Sequence, residues 1–378
     1  MKRIFVLGFQ PYDETMYPHL YDFLKMLEES FKVVYLGTDD RGQRLVTRGG
    51  CFPSAKTCFG SPRVLAGNIY SSIRYSIANL KLDSQIETIM HDGIDVAVAI
   101  DHSALNRVAA FSNDRTKMVY WSHDYIPPDR DWYGYRSIRS MLKRNALNIA
   151  KCAYIVVQDP NRAAVLDSII GSHKVRKIFL PVSVEDDEFA RGVARAKMNK
   201  SPSARTVIMQ ITARHDRASD LLIEAYQSIG EQIEVCFQGH VSSEIRALIA
   251  GQVRKPAVFD LSGAFSTMRG NISKSDIGFI SYRMKDLNHH FVSRSCGQMV
   301  EFIRLGIPVI VMDSIELGEY AENHGCGVYI PNILGLKNAV DKIVDSYTAY
   351  SKSARDLYEA VFNLQKYRGQ LLYTLSNL

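Results

Sequence analysis

The 378 residues carry 46 Lys and Arg against 40 Asp and Glu, a net charge of +6, with 46% hydrophobic and 23% charged residues. These values sit at ordinary globular usage and exclude a disordered or collagen-like chain, and the 24 Gly and 12 Pro make only about a tenth of the residues, too few for low-complexity sequence. At roughly 150 residues per domain the length implies two domains. The mild positive balance suits an anionic ligand or surface and does not require nucleic acid.

No run of ~18 apolar residues is present, and the start, MKRIFVLGFQPYDE, turns polar too soon for a secretory apolar region. A cytoplasmic protein is expected. Cys51, Cys58, Cys152, Cys236, Cys296 and Cys326 never form a C-x-x-C, and several lie in or beside apolar runs where a thiol packs as a small hydrophobe. Free thiols are expected, with neither disulfides nor structural zinc.

Along the chain, short β-branched or aromatic runs alternate with helical patterns, which argues for parallel sheets covered by helices. Strands are expected at Arg3–Gly8, Lys32–Leu36, Asp95–Ile100, Lys117–Trp121, Tyr154–Gln158 and Lys177–Leu180, with helices such as Tyr17–Glu29 and Ser140–Ala150 between them. Thr38–Pro62, with Gly49-Gly50 and little periodicity, reads as a long functional loop or lid. Val184–Arg205, rich in Lys, Arg, Ser and Asp, reads as the domain junction. A second strand series follows at Thr206–Gln210, Glu234–Gln238, Ala257–Leu261, Ile277–Ser281, Pro308–Met312 and Gly327–Ile330. Two helices, Leu336–Ser346 and Ser351–Leu378, end the chain.

Ligands of open α/β sheets bind outside the carboxyl ends of strands, so the residues after each strand are the candidates. After Thr206–Gln210 comes ITARHDRASDLLIEAY, where Arg214 and Arg217 precede a helix. Planar guanidinium forks at a helix N-terminus suit a diphosphate; two solvated loop arginines fit the same residues. In SRSCGQMVEFIRLGIPVIVMD, Ser295-x-x-Gln298 reads as a capping box, Gly297 admits close ligand approach, and Gly306 with Pro308 ends the helix before a buried strand. Glu301, one turn further in, could accept hydrogen bonds from ribose hydroxyls or be a plain first-turn acid favoured by the helix dipole.

The third candidate is YWSHDYIPP. His123-Asp124, stiffened by Pro127-Pro128, could orient a sugar hydroxyl or shuttle a proton, or simply cap a strand end. Asp101-His102 ends another strand in the same way. His289-His290 has no spaced partner for a metal. Between Asp129 and Lys151, Arg130, Arg136, Arg139, Lys143 and Arg144 interleave with Trp132, Tyr133 and Tyr135, which fits contact with an anionic membrane surface or a solvated helix face. No G-x-G-x-x-G, P-loop, G-x-S-x-G or H-E-x-x-H is present, so no nicotinamide or flavin fingerprint is supported.

At these residues the chain resembles the retaining GT-B glycosyltransferases of glycosyltransferase family 4. The second half carries the resemblance throughout, in DLLIEAY, VCFQGH, FDLSG, SDIGFIS, VEFIRLGIPVIVMD and GEYAENHGCGVYI; the first half carries it in the strand before His123, in KCAYIVVQDPNRAAVL and in KIFLPVSVEDDEF. The resemblance implies an α/β protein of two Rossmann-like domains facing a central cleft: an acceptor-side domain over 1–183, a nucleotide-sugar domain over 184–350, and a terminal helix over 351–378 packing on the first domain.

It implies a glycosyltransferase that uses a nucleoside diphosphate sugar as substrate, with no cofactor and no metal. The acceptor would be a glycan, a lipid-linked or a small molecule, and the inner membrane surface a peripheral contact. Arg217 stands in the place of the family's phosphate-binding Lys, with Arg214 near its partner Arg but out of register. Glu301 matches the carboxylate that holds the ribose, and His123 a histidine that faces the donor sugar. Ser293, Ser295, Gly297 and Gln298 complete the donor side; Gly8 and Asp124 lie on the acceptor side. One departure stands out: the family's E-x7-E pair would place its first Glu at 293, where this chain has Ser293. A nucleotide-sugar 2-epimerase and a non-catalytic sugar-nucleotide-binding module are the alternative readings of the same fold.

Overall fold

The structure is a computed structural model that describes residues 1–11, 18–38, 45–48, 69–124, 135–199, 206–226, 229, 232–251, 258–261, 265–283 and 287–378. The chain divides into two compact units, Met1–Pro181 with Leu364–Leu378, and Val182–Asn363.

The first unit runs β1 (Arg3–Pro11), α1 (Pro18–Glu28), β2 (Lys32–Thr38), β3 (Leu45–Arg48), α2 (Ile69–His91), β4 (Val96–Ile100), α3 (Asp101–Phe111), β5 (Lys117–Trp121), α4 (Tyr135–Ile149), β6 (Tyr154–Val157), α5 (Pro160–Ile170) and β7 (Arg176–Phe179). The second runs α6 (Glu188–Met198), β8 (Thr206–Ala213), α7 (Ser219–Tyr226), β9 (Ile233–Val241), α8 (Ser243–Ala250), β10 (Val258–Leu261), α9 (Phe265–Ile272), β11 (Ile277–Ser281), α10 (Leu287–His290), α11 (Gly297–Arg304), β12 (Val309–Met312), α12 (Ile315–Asn323), β13 (Gly327–Ile330), α13 (Leu336–Asp345) and α14 (Tyr347–Leu357). The last helix, α15 (Gln365–Ser376), belongs to the first unit.

Both sheets are open and doubly wound. Their orders are β3-β2-β1-β4-β5-β6-β7 and β10-β9-β8-β11-β12-β13, and every pairing is parallel except β2 with the edge strand β3. Strands such as VAVAI in β4 and VIVM in β12 are buried at every residue, as sheets with helices on both faces demand. Strand order reverses between β1 and β4 and between β8 and β11. Those two switch points place the ligand-facing ends.

Three sequence expectations need correction. The loop read over Thr38–Pro62 contains strand β3, whose alternating LVTR pairs Leu45–Arg48 against Tyr35–Thr38; the rest of that stretch lies outside the described residues. The junction read over Val184–Arg205 contains helix α6. Its charge density hid an N-cap, Asp187, whose carboxylate accepts the Ala190 N–H at 2.7 Å, and a buried stripe of Ala190, Ala194 and Lys197. The single terminal helix over Ser351–Leu378 is two helices separated by a π turn at Tyr358–Phe362. Within the second unit α14 packs on α6 and α11, and its Ser351 Oγ and Arg355 Nη1 donate to the carbonyls of Gly306 and Arg304, both at 2.6 Å. Only Leu364 onward joins the first core, where Leu364, Leu371 and Leu375 pack among residues such as Ile4, Val6 and Phe31.

Helix α11 is placed by close approach and by a defined end. A Cβ on Gly278, in the middle of β11, would overlap the Phe302 ring of α11, so glycine lets the helix settle onto the strand. At the other end Gly306 takes φ +66°, while the N–H of Ile307 reaches the carbonyl of Phe302 and that of Gly306 the carbonyl of Ile303, each at 3.0 Å. This is a Schellman stop. Gly278→Ala is expected to lower stability by about 2 kcal/mol through overpacking, and Gly278→Ala/Phe302→Leu to recover part of the loss. Urea and thermal melts of the two variants check this; an unshifted single variant would contradict the packing.

Candidate functional site

In the second unit the chain leaves β8 through a register break between Ile211 and Ala213 and a left-handed Thr212, φ +63°. The following loop is built around one buried glutamine. Gln210 Nε2 donates to the Arg217 carbonyl at 2.7 Å, and its Oε1 accepts the Ser219 hydroxyl at 2.7 Å. Ser219 Oγ in turn accepts the Arg214 N–H at 2.9 Å. Gln210 and Ser219 are wholly buried, so these bonds act in a low dielectric where leaving one unmade is costly.

The network presents Arg217 at the start of α7. Its guanidinium lies 3.7 Å from the centre of the Tyr282 ring, just past β11, and its Nη1 is buried with no acceptor. Neighbouring cations are already matched: Arg214 pairs with Asp216 at 3.2 Å, and Arg283 with Asp220 at 3.2 Å. Tyr282 also meets the start of α11, its hydroxyl 3.3 Å from Cys296 Sγ. Gln298 Nε2 donates to the Ile211 carbonyl at 2.7 Å, tying the same helix end to β8. An aromatic-backed guanidinium and a helix N-terminus therefore stand side by side, an arrangement that binds anionic oxygen.

The expected capping box at Ser295-x-x-Gln298 does not form. α11 begins at Gly297, and its cap is Cys296, whose Sγ accepts the Met299 N–H at 3.4 Å. Burial pushes the Cys296 thiol up, keeping it an uncharged cap. Ser295 Oγ donates to the Phe291 carbonyl at 3.4 Å, and Gln298 is spent on β8. Ser293 is buried, and its N–H, with that of Val292, donates to Glu316 Oε2 at 3.0 and 3.1 Å. Glu301 is only 6% exposed; its Oε1 makes no hydrogen bond and stands 4.0 Å from Arg304 Nη1.

A separate constellation occupies the carboxyl ends of β1, β4, β5 and β6 in the first unit. The His123 ring meets the edge of Trp121 at 4.8 Å between centroids and lies 5.1 Å from His19 of α1. Its carbonyl accepts from the Arg162 guanidinium, without a strong bond to Gln158, whose Nε2 is 3.5 Å away. His123 Nε2 is buried and has no partner. Burial, reinforced by the Arg162 charge, pulls its pKa down to about 4, and burial and His123 hold His19 well below its usual value. Both imidazoles are neutral at physiological pH, each with one donor and one acceptor nitrogen.

Gly8 is buried where β1 loses register with β2, and Asp124 is exposed with its N–H on Asp101 Oδ1 at 3.1 Å. Pro127, Pro128, Arg130, Trp132 and Tyr133 lie outside the described residues. Cys152, Cys236, Cys296 and Cys326 are buried free thiols, and Cys51 and Cys58 lie outside the described residues. Among the described residues no His, Cys, Asp and Glu gather in a group of three that could hold a metal, and no helix is long and apolar enough to cross a membrane. Sequence reading missed Gln210, Ser219, Tyr282, Glu316 and His19. Gln210 alone had a signal, as the amide that closes the otherwise β-forming run TVIMQ.

No family model and no curated protein matches the chain. Solved structures do. Over all of both chains it is similar to HepE of Anabaena in complex with UDP-glucose, at 14% identity and a TM-score of 0.68, and to sucrose-phosphate synthase of Thermosynechococcus elongatus, at 12% and 0.71. It is similar to WaaG, a glycosyltransferase involved in lipopolysaccharide biosynthesis, over 98% of this chain and 99% of that one, at 14% identity and a TM-score of 0.62. The likeness shows the fold: two Rossmann-like units of the GT-B type.

The depressed His123 value has a sign. A histidine whose pKa falls on folding supports the folded state above the free value of about 6.5 and costs stability as pH drops toward about 4. The first unit is expected to lose stability over that window, with the His123 ring protonating near its lower end. Imidazole NMR during an acid titration reads this directly, and a ring titrating near 6.5 would contradict the burial argument.

Proposed function

We propose that this protein is a glycosyltransferase of the family 4 type, moving a sugar with retention from a nucleoside diphosphate sugar to a glycan, lipid-linked or small-molecule acceptor. The observation that carries the reading is the Arg217 guanidinium, backed by Tyr282, with a buried Nη1 lacking an acceptor beside the start of α11. The fold shared with HepE in its UDP-glucose complex and with WaaG supports it.

In this reading the diphosphate lies against Arg217, Arg214 and the backbone N–H groups opening α11, with Ser293, Ser295, Gly297 and Gln298 around the donor. The acceptor oxygen bonds to the anomeric carbon as the bond to the diphosphate breaks, and the acceptor proton passes to the departing oxygen on the same face. Negative charge grows on that oxygen, so donors already in place favour the transition state over the ground state. Glu301 takes the ribose hydroxyls; its unpartnered buried oxygen supports this role. His123 orients the donor sugar as a neutral imidazole, and Gly8 and Asp124 stand on the acceptor side.

A membrane-borne acceptor is supported by α4, whose exposed stripe of Lys143, Arg144 and a 62% exposed Leu147 runs on to Lys151. We further propose that transfer needs no metal, because a guanidinium and a helix end supply the countercharge.

Two measurements test this. A thermal-shift panel of UDP, GDP, ADP, CMP and TDP is expected to pick out one nucleotide, and Arg217→Ala to weaken it roughly 10–100-fold by calorimetry, the worth of a hydrogen bond to a charged group. Unchanged affinity removes Arg217 from the site. With that nucleotide's sugar, transfer to an acceptor is expected to continue in EDTA, whereas a strict divalent-metal requirement overturns the arginine mechanism. Product from donor alone would identify an epimerase, and binding without turnover a non-catalytic module.

A further inference from the structure

Asp101 is the first residue of α3, directly after β4, and its backbone is left-handed at φ +64°, a conformation that Asp and Asn tolerate better than other side chains but still resist. An aspartate at a helix start ordinarily turns its carboxylate onto that helix's own N–H groups. Here α3 has no side-chain cap. Instead, Asp101 Oδ1 crosses to the neighbouring strand's exit and accepts two successive N–H groups, His123 at 2.9 Å and Asp124 at 3.1 Å. Strain and a forgone cap both go to holding the residues after β5.

His123 is thereby fixed on both sides of its Cα. Its N–H is held from β4 by Asp101, its carbonyl from α5 by Arg162, and its ring rests on Trp121 and His19. What is left over is the buried Nε2. The second unit repeats the device: Asp313, the residue after β12, has φ +64°, and its Oδ2 accepts the hydroxyl of Ser281 at the end of the adjacent β11, at 3.1 Å.

We infer that Asp101 is the positioning residue of His123, setting the imidazole's place through the backbone rather than touching substrate itself. The inference rests on the reading that His123 addresses the donor sugar. Among the described residues, the charged and titratable groups that meet His123 are Asp101 at the exit of β4, Arg162 on α5 and His19 on α1, with Asp124 next to it in its own loop.

The test compares Asp101→Gly, which suits the left-handed backbone and removes both hydrogen bonds, with Asp101→Asn, which keeps an oxygen acceptor and the same tolerance. Imidazole NMR follows the His123 titration, and backbone spectra check that each variant is folded. In Asp101→Gly the ring is expected to loosen toward water and its pKa to rise from about 4 toward the free value of about 6.5, while Asp101→Asn stays with the parent. A folded Asp101→Gly with an unmoved titration overturns the proposal, and so does an Asn variant that shifts as far as Gly. UDP, GDP, ADP, CMP and TDP calorimetry on the parent reads the transferase proposal separately. Failure to bind any of them removes that reading and leaves the Asp101–His123 link to be judged by its titration alone.

Discussion

The loop that follows β8 in the second unit depends on one polar side chain placed where the sheet should be apolar. Gln210 sits in β8 with hydrophobic neighbours on both sides and no exposure, yet each end of its amide is matched, to the Arg217 carbonyl and the Ser219 hydroxyl. A buried amide of this kind stabilises only when fully satisfied. It therefore selects one loop conformation among many, the one in which Ala218 adopts φ +53°, Ser219 opens α7 and Arg217 reaches Tyr282. An apolar residue at 210 would pack as well in the strand and leave the basic loop without a template.

The same logic recurs at the exits of β4, β8 and β12. The non-glycine residues with positive φ among those described are Asp101, Thr212, Ala218 and Asp313, and all of them follow or end a strand on the carboxyl side. Parallel strands covered on both faces are mostly apolar along their length, and helices must start beyond their ends within a few residues. The chain meets that demand by turning through left-handed residues whose side chains or neighbours tie adjacent strand exits together. Rigidity at these ends comes from hydrogen bonds between strands that are neighbours in the sheet and distant in sequence.

That distance explains what was legible beforehand. Strands such as Lys117–Trp121, Ile277–Ser281 and Gly327–Ile330 announce themselves by mostly apolar runs, because burial on both faces restricts their composition. Helix α6 did not, since an 11-residue helix with a narrow alanine stripe looks like a charged linker until α14 covers it. The site divides in the same way. Arg214, Arg217 and His123 follow strands and could be found by position. Tyr282 and Cys296 matter through a contact with each other that no local pattern encodes, and Ser295 followed by Gln298 reads as a capping box, but the cap falls one residue later, on Cys296.

The misread linker turns out to support helix α11. Glu301 lies on the buried face of α11. Its nearest cation is Arg304, which is itself buried and could not stay there unmatched. Arg304 pairs with Asp187 at 3.3 Å, Arg269 pairs with the same carboxylate, and Asp187 also caps α6. Glu301, Arg304 and Asp187 thus form a chain of neighbouring side chains that ends on the cap of α6. Arg214 and Arg283 are paired with acids, whereas Arg217 Nη1 is buried with no acceptor beside the opening of α11. Burial and hydrogen bonding rather than charge number preorganise this end of the unit: Gln210 templates the loop that carries Arg217, and Asp187 holds Arg304 beside Glu301.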